Sequence, residues 1–451
     1  MKRHSLICRF NAGDRARIEP VQKDSLSTQV HFVSADDRFD YGLGNLLDSL
    51  AGLGLQASET AFDLSLLSAM VFCADTRVSR VDAQDGWTRE IDLYIPVQDV
   101  DLWIEQQALL SRMLRFLTGD QWRIFFRPRP RRFATIVPAV EQAELPRFTC
   151  ASLFSGGLDS YIGTIDLLAT GEVPLLVSHY MDGATSQHQK MCISHLENSY
   201  TKINFEALRT YICFETDLIA NSEGDSNQRS RSFLFFGLGV LAASTLGDNA
   251  SLYVPENGLI SLNVPLDPLR LGSLSTRTTH PFYMARFGEL LNRLGLRVSL
   301  LNPYRHMTKG EMVAGCKNPK LLGATAKNTM SCSSPAKARW KKLAPGHCGY
   351  CVPCLIRRAA IRRGLKSDDT YYQLSDLTSR PLDAAAAEGQ HVRSFQLSLT
   401  KIKANPAIAD AAIHSPGPLA DVPTEWPKLS RVYKQGLNEV GRLIDEVVVR
   451  P

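Results

Sequence analysis

The hexapeptide Ser155-Gly-Gly-Leu-Asp-Ser160 constrains this chain more than any other feature, because of its surroundings. It follows residues 149–154, which read as a buried strand, and leads into 160–169, which reads as a helix closed by Gly171. Two consecutive glycines permit a tight turn and close backbone approach to a ligand. Unpaired amides at a helix start, with the positive end of its dipole, suit an anion. Ser155 and Ser160 add hydroxyl donors, and Asp159 can cap the helix or hold a cation through oxygen. The chain contains no Gly-Lys pair, so the GxxxxGK[ST] phosphate loop is excluded. The plain structural alternative is a Gly-rich strand–helix turn with Asp159 as N-cap.

That turn sits in an alternating stretch. Residues 173–179, 251–254 and 296–301 read as strands, and 233–244 and 282–294 as helices, which predicts an α/β fold with a doubly wound, mostly parallel sheet over 148–365. Upstream, 29–33, 90–97 and 122–126 read as strands, and 61–74 and 100–117 as amphipathic helices, suggesting an α+β domain over 1–147. Proline at alternate positions in 127–133 favours an extended, solvated connector and a boundary near 130–147. After 366, the segments 384–387, 394–403 and 427–449 read as helices of a C-terminal extension. At 451 residues two or three domains are expected. The longest nearly apolar run, 233–243, is well short of a membrane span, and the N-terminal apolar run is too short for a secretory signal. A cytoplasmic protein is expected.

Six of the ten cysteines (Cys8, Cys73, Cys150, Cys192, Cys213, Cys316) are scattered and read as reduced core residues. The other four are Cys332, Cys348, Cys351 and Cys354. Two CxxC steps sharing a cysteine bring three thiolates to one ion, and Cys332 can close a tetrahedral zinc site; His347 is a rival fourth ligand. Such closed sites are structural. Net charge is only +5, but no acidic residue lies between Glu311 and Asp368, where twelve Lys and Arg occur, including Lys317, Lys337, Arg339, Lys341, Arg357, Arg358 and Lys366. Four thiolates on one zinc leave negative charge, which such cations can offset while donating to sulfur. Trp340 and Tyr350 are the only aromatics nearby, too few for single-strand stacking, so direct nucleic-acid binding is not expected.

The hexapeptide with this cysteine cluster, ending Cys351-Val-Pro-Cys354-Leu-Ile-Arg357, resembles the 7-cyano-7-deazaguanine synthases of the PP-loop ATP pyrophosphatase superfamily. The Thr308-Lys309-Gly-Glu311-Met segment is similar to the family's TKxEI stretch. The resemblance covers about 150–365. The whole layout looks closer to the QueC-like component of the Qat anti-phage defence system, through Arg229-Ser-Arg-Ser-Phe, Pro255-Glu-Asn-Gly258 and Ser275-Thr-Arg-Thr-Thr-His-Pro281. The resemblance implies an adenine-nucleotide alpha-hydrolase fold with a C-terminal zinc lobe. It also implies ATP and Mg2+ as cofactors beside Zn2+, and adenylation of a carboxylated deazaguanine. Attack by ammonia would follow or, in a defence setting, by an amine on an operon-encoded partner protein.

Ser155, Gly156, Gly157, Leu158, Asp159 and Ser160 are thus expected to grip nucleotide phosphates. Arg229 and Arg231, at the start of an apolar helix where positive charge is unfavourable, are expected to have an anion between them. Glu256 and Asn257 follow a strand end, and Glu256 could accept from the ring N–H and amine of a guanine-like base; an Asn-Gly turn is the alternative. Arg277 and His280 could hold the substrate carboxylate or α-phosphate. Lys309 could reach phosphate or pair with Glu311. The candidate catalytic residues are Ser155, Asp159, Ser160, Arg231 and Lys309. Competing functions are a PP-loop tRNA-modifying enzyme, thiolating or amidating a base, and a non-catalytic nucleotide-binding zinc scaffold.

Overall fold

The computed structural model describes residues 3–34, 36–140, 147–220, 222–225, 227–267, 277–333, 335, 342, 345–365 and 367–451. Two wholly parallel sheets organise it. The first contains β1 (His4–Arg9), β2 (Leu26–His31), β3 (Glu90–Val97) and β4 (Gln121–Pro128), in the order β2-β1-β3-β4. The region 1–147 is therefore α/β in character, correcting the α+β expectation. Parallel strands need crossovers; the helices Leu43–Gly52 and Glu59–Arg77 carry the chain from β2 to β3 and Val100–Ile104 and Gln107–Thr118 from β3 to β4, while β1 reaches β2 without a helix. The helix expected over 100–117 is interrupted between Ile104 and Gln107.

The second sheet contains β5 (Cys150–Leu153), β6 (Pro174–Tyr180), β7 (Glu206–Tyr211), β8 (Ala250–Tyr253) and β9 (Val298–Leu301), in the order β7-β6-β5-β8-β9. This is the doubly wound sheet expected from the alternating pattern. Strand order reverses between β5 and β8, the switch point where ligands of such sheets bind beyond the carboxyl ends. The hexapeptide begins two residues after β5.

The helix Glu59–Arg77 is buried continuously from Ala61 to Thr76. A helix with no wet face must be enclosed on all sides. It packs between β3 and the helix Arg231–Ala243, itself buried from Ser232 onward and lying on β5, β6 and β8. Ser65 Oγ donates to the Gly237 carbonyl at 3.1 Å where the two helices cross. One apolar cluster consequently runs through Leu6, Phe62, Met70, Phe233, Leu175 and Leu252, so residues of 1–147 and 148–365 share a core. A buried ion network reaches the same junction, where Arg80 pairs across it with Asp225 at 2.9 Å. Arg89 pairs with Asp75 and Asp120 at 2.6 Å each, and Arg80 with Asp120 at 2.8 Å.

The stretch 127–133 is not a solvated connector. β4 continues to Pro128, Arg127 pairs with Asp14, and the Arg129 guanidinium is buried against Glu59 and Asp63. Paired carboxylates across the fold overrule the local proline signal. The remainder of the expected connector, 141–146, lies outside the described residues.

In the C-terminal extension the helices Ala387–Ala404 and Trp426–Leu443 share a second core with Leu259, Leu355 and Ile356. The expected helix at 384–387 is a turn entering Ala387–Ala404. The helix expected to reach 449 ends at Leu443, because the chain then pairs β11 (Val449–Arg450) with β10 (Leu382–Asp383). Among the described residues no helix is long and apolar enough to cross a membrane.

Candidate functional site

The loop after β5 turns at Gly156, whose φ of +77° is left-handed and strained for any side chain; an added Cβ would also lie 3.0 Å from Gln189 Cγ. The helix Leu158–Ala169 starts immediately, with Gly157 as N-cap and no side-chain cap. Its first amides are therefore free for a ligand. Asp159 does not cap its own helix. The Gly157 N–H donates to Ser155 Oγ at 3.2 Å, Ser155 and Ser160 hydroxyls lie 3.1 Å apart, and Ser160 Oγ donates to the Gly157 carbonyl at 3.1 Å. Ser155 is exposed, whereas Leu158 and Ser160 are buried.

Asp159 joins this loop to two other segments. Asn257 Nδ2 donates to its Oδ2 at 2.7 Å, and Lys309 Nζ faces its Oδ1 at 2.7 Å. Asn257 also caps the helix Gly258–Leu262, its Oδ1 accepting from the Ile260 N–H at 3.1 Å. Lys309 opens the helix Lys309–Ala314 behind a Thr308–Glu311 capping box. Its partner is thus Asp159 rather than Glu311. Glu256 is next in line. Its Oε2 accepts from Thr278 Oγ1 at 2.7 Å and from Thr279 Oγ1. Burial pushes its carboxyl up, the Thr279 and Thr278 hydroxyls oppose this, and the Asp159 charge adds to it.

Arg231 lies on the β6 side of the loop, its guanidinium 5.6 Å from the Phe235 ring. Burial lowers its pKa, opposed by Asp182. Among the described residues its guanidinium has no hydrogen-bonded or ion-paired protein partner, so its positive charge is available to a ligand anion.

Arg229 answers its charge problem differently. An anion does lie at this helix start, but it belongs to the protein: the Ser230 N–H donates to Asp75 Oδ2 at 2.7 Å. Arg229 donates to the Thr118 carbonyl at 3.1 Å and covers the Trp87 ring at 4.3 Å. Its placement is in the junction between the two sheets rather than at the loop. Arg277 and His280 are likewise drawn to the junction. Arg277 donates to the Phe116 carbonyl at 2.7 Å and covers the Phe116 ring, and His280 lies 5.2 Å from that ring. His280 Nδ1 accepts from the Phe282 N–H at 3.2 Å, capping the helix Pro281–Arg293. Residues 275 and 276 of the Ser275–Pro281 segment lie outside the described residues.

The sulfur atoms of Cys332, Cys348, Cys351 and Cys354 lie within 4.8 Å of one another. Two pairs, Cys332–Cys351 and Cys348–Cys354, are 3.9 Å apart. Zinc–sulfur bonds of about 2.3 Å in a tetrahedron require sulfur separations of about 3.8 Å, so the donor set fits zinc. The Cys351 N–H donates to Cys348 Sγ at 3.3 Å. The convergent donor set is the four cysteines without His347, whose Nε2 accepts from the Ser331 N–H at 3.1 Å. The expected donation from basic residues to sulfur is replaced by donation to oxygen. Arg357 bonds Thr329 Oγ1 and the Ala326 carbonyl at 2.6 Å each, and Arg358 bonds the Leu374 carbonyl at 2.9 Å. Lys337, Arg339, Trp340, Lys341 and Lys366 lie outside the described residues.

Two residues that shape the loop left no local sequence signal. The Met330 N–H donates to the Gly156 carbonyl at 2.9 Å, strapping the phosphate loop to the segment that carries Cys332. Gln189, fully buried, fills the space that the Gly156 turn leaves open and donates to the His179 carbonyl at 3.1 Å.

These features carry into comparison with known proteins. Over 260 residues the chain is 24% identical to a 7-cyano-7-deazaguanine synthase of Saccharolobus solfataricus. The match covers 53% of this chain and 50% of that protein, so the chain spans about half the length of the curated relative it matches. No family model matches the sequence. The similarity supports a distant relation to the synthase family, in keeping with the parallel sheet, the loop position and the four-cysteine cluster.

Proposed function

We propose that this protein uses ATP to adenylate the carboxylate of a 7-carboxy-7-deazaguanine-like substrate and then transfers the acyl group to ammonia or an amine. The observation that carries this reading is the free helix start behind Gly156, beside Asp159 and Lys309, at the switch point of a parallel sheet. Amides of 156 and 158 would hold the β- and γ-phosphates. Arg231, without a described protein partner, would take further phosphate charge. A carboxylate oxygen of the substrate would attack the α-phosphorus as the bond to the bridging β-phosphate oxygen breaks. Donors fixed before the reaction stabilise the departing pyrophosphate without reorganising. An amine lone pair would then attack the acyl carbon, AMP leaving with the carbonyl–oxygen bond and the nitrogen losing a proton. Asp159 could hold Mg2+ through oxygen, where the ion would supply charge neutralisation between phosphates. Glu256, with one carboxylate oxygen engaged by threonines, is suited to accept from the N–H groups of a guanine-like base. The four cysteines would hold a structural Zn2+.

The regions 1–147 and 366–451, lying beyond the catalytic unit proposed over 148–365, motivate a finer reading. The acceptor would be an amine on an operon-encoded partner protein in an anti-phage setting in the cytoplasm. A thiolating tRNA enzyme would need a reactive thiolate near the loop. Cys192 is buried and pushed up to about 12 by that burial, as is Cys316, which leaves no such group beside it. The test is ATP–pyrophosphate exchange with carboxy-deazaguanine, followed by intact-mass analysis with the neighbouring operon proteins. Carboxylate-dependent exchange and a mass increment on one protein are expected. Exchange absent with every candidate acid would leave a nucleotide-binding scaffold and overturn the reading.

A further inference from the structure

Lys309 reaches the phosphate loop from a helix only six residues long, Lys309–Ala314. A helix this short does not hold its own position in water; packing must place it. The partner that does so comes from the C-terminal extension. Glu439, on the helix Trp426–Leu443, is buried at 6% exposure among the polar groups of this segment. Its carboxylate accepts from Thr308 Oγ1 and, at 3.2 Å, from the Gly310 N–H. It thus grips the residue before Lys309 and the residue after it. Arg363, from the helix Val352–Gly364, pairs with the same carboxylate. Gly310 is required by this closeness: a Cβ there would lie 2.5 Å from Glu439 Oε2 and 2.7 Å from Arg363 Cδ.

Two more residues of the extension close around the segment. Arg431 donates to Glu311 Oε1 at 2.6 Å and to the His306 carbonyl at 2.6 Å, and Glu425 pairs with Arg305 and His306. These outer pairs involve half-exposed arginines, and exposed pairs contribute little. The Glu439 contacts are buried and hold backbone as well as side chain, so they dominate the placement.

We propose that Glu439 is a positioning residue for Lys309, through which the C-terminal extension sets the Lys309–Asp159 pair at the phosphate loop. This rests on the adenylation reading for its kinetic consequence but not for its geometry. The test uses the full chain carrying Glu439→Gln. In a brief pulse of an amine-acylating reagent read by mass spectrometry, labelling of Lys309 relative to Lys317 should rise at least threefold. Turnover in ATP–pyrophosphate exchange should fall about tenfold, with KM for ATP changed less than twofold. In a Lys309→Ala background the same substitution should cost less than twofold further. Leu437→Ala, which loosens the apolar core of the same helix, should leave the labelling ratio near wild type.

Unchanged Lys309 labelling in Glu439→Gln would overturn the proposal. So would equal labelling in Leu437→Ala, or full multiplication of the Glu439 and Lys309 effects. Should Glu439→Gln not fold, Glu439→Asp, which withdraws the carboxylate by one methylene, carries the same expectations. If the wild-type protein shows no exchange, the adenylation reading falls, and the labelling ratio still decides the role of Glu439.

Discussion

The two sheets make the same turn with opposite outcomes. Each is wholly parallel, each reverses its strand order beside a central strand, and each places an aspartate shortly after that strand: Asp14 after β1 and Asp159 after β5. After β5 the chain turns at Gly156 and starts a helix at Leu158. After β1 it winds through residues 11–25 with no helix. Asp14 is then consumed by Arg127, by Arg9 at 3.6 Å and by the Phe10 N–H at 3.2 Å, while Phe10 stacks on Phe133 at 4.9 Å. The first switch point is filled by its own side chains. A parallel sheet offers a crevice, but free amides at a helix start and an unsatisfied charge make it a candidate anion site.

Zinc removal should separate the sheets most strongly. The second loop is strapped through Met330 to the Cys332 segment, and the described contacts show no such strap at the first. Metal binding and folding are coupled, so Cys351→Ser should abolish zinc binding and cost several kcal/mol of stability in the surrounding lobe. Hydrogen exchange at the Met330 amide, which donates to the Gly156 carbonyl, should accelerate at least tenfold, and amides of β1 and β3 should stay protected. Equal loosening of both sheets would break the contrast.

Exchanging the two aspartates for alanine sharpens it. Asp159→Ala should lower ATP–pyrophosphate exchange by about 10³-fold, roughly 4 kcal/mol, with zinc content unchanged. Asp14→Ala should leave exchange within twofold and instead cost about 3–5 kcal/mol of unfolding free energy, because it strands half-buried Arg127 and buried Arg9. Denaturant melts and exchange kinetics on both variants check the pair. The glycines repeat the experiment on a smaller scale. Gly156→Ala, forced into a left-handed conformation and against Gln189, should reduce exchange about 100-fold. Gly13→Ala, whose Cβ would meet only Asn11 Oδ1 at 3.1 Å, should change it less than twofold.

The same contrast explains what was readable in the sequence. The second sheet announces itself: glycines, a buried strand and a helix start are adjacent in the chain, as are the clustered cysteines. The first sheet does not. β1 carries His4 and Arg9 at its ends, so its six buried residues do not read as a core strand. Arg127 and Arg129 look like solvated linker charges because their carboxylate partners are remote in the chain: Asp14, Glu59 and Asp63. Arg229, Arg277 and His280 were expected at the ligand for the same reason: a polar residue near a strand end serves either a substrate or a distant neighbour. Here Thr118 and Phe116, both from before residue 148, are those neighbours. Glu439, remote from Thr308 in sequence, is the extreme case.

The smallest expected effect concerns acid stability, and it belongs to the second sheet and its junction. His179 in β6 and His280 at the helix start are both fully buried, and burial lowers each pKa to about 3, with Arg231 and Arg277 respectively adding to it. The unfolded imidazoles titrate near 6.5. Between these values the unfolded chain binds more protons, so stability rises with pH and is lost as pH falls below about 6.5. Each histidine contributes up to about 1.4 kcal/mol per pH unit in that window. Asparagine can still accept from the Phe282 N–H as an N-cap and does not titrate. His280→Asn should therefore reduce the slope of unfolding free energy against pH by up to that amount between pH 5 and 6, and leave stability above pH 7.5 within about 1 kcal/mol. Urea melts across this range measure both quantities, and an unchanged slope would mean that His280 already carries a proton in the folded junction.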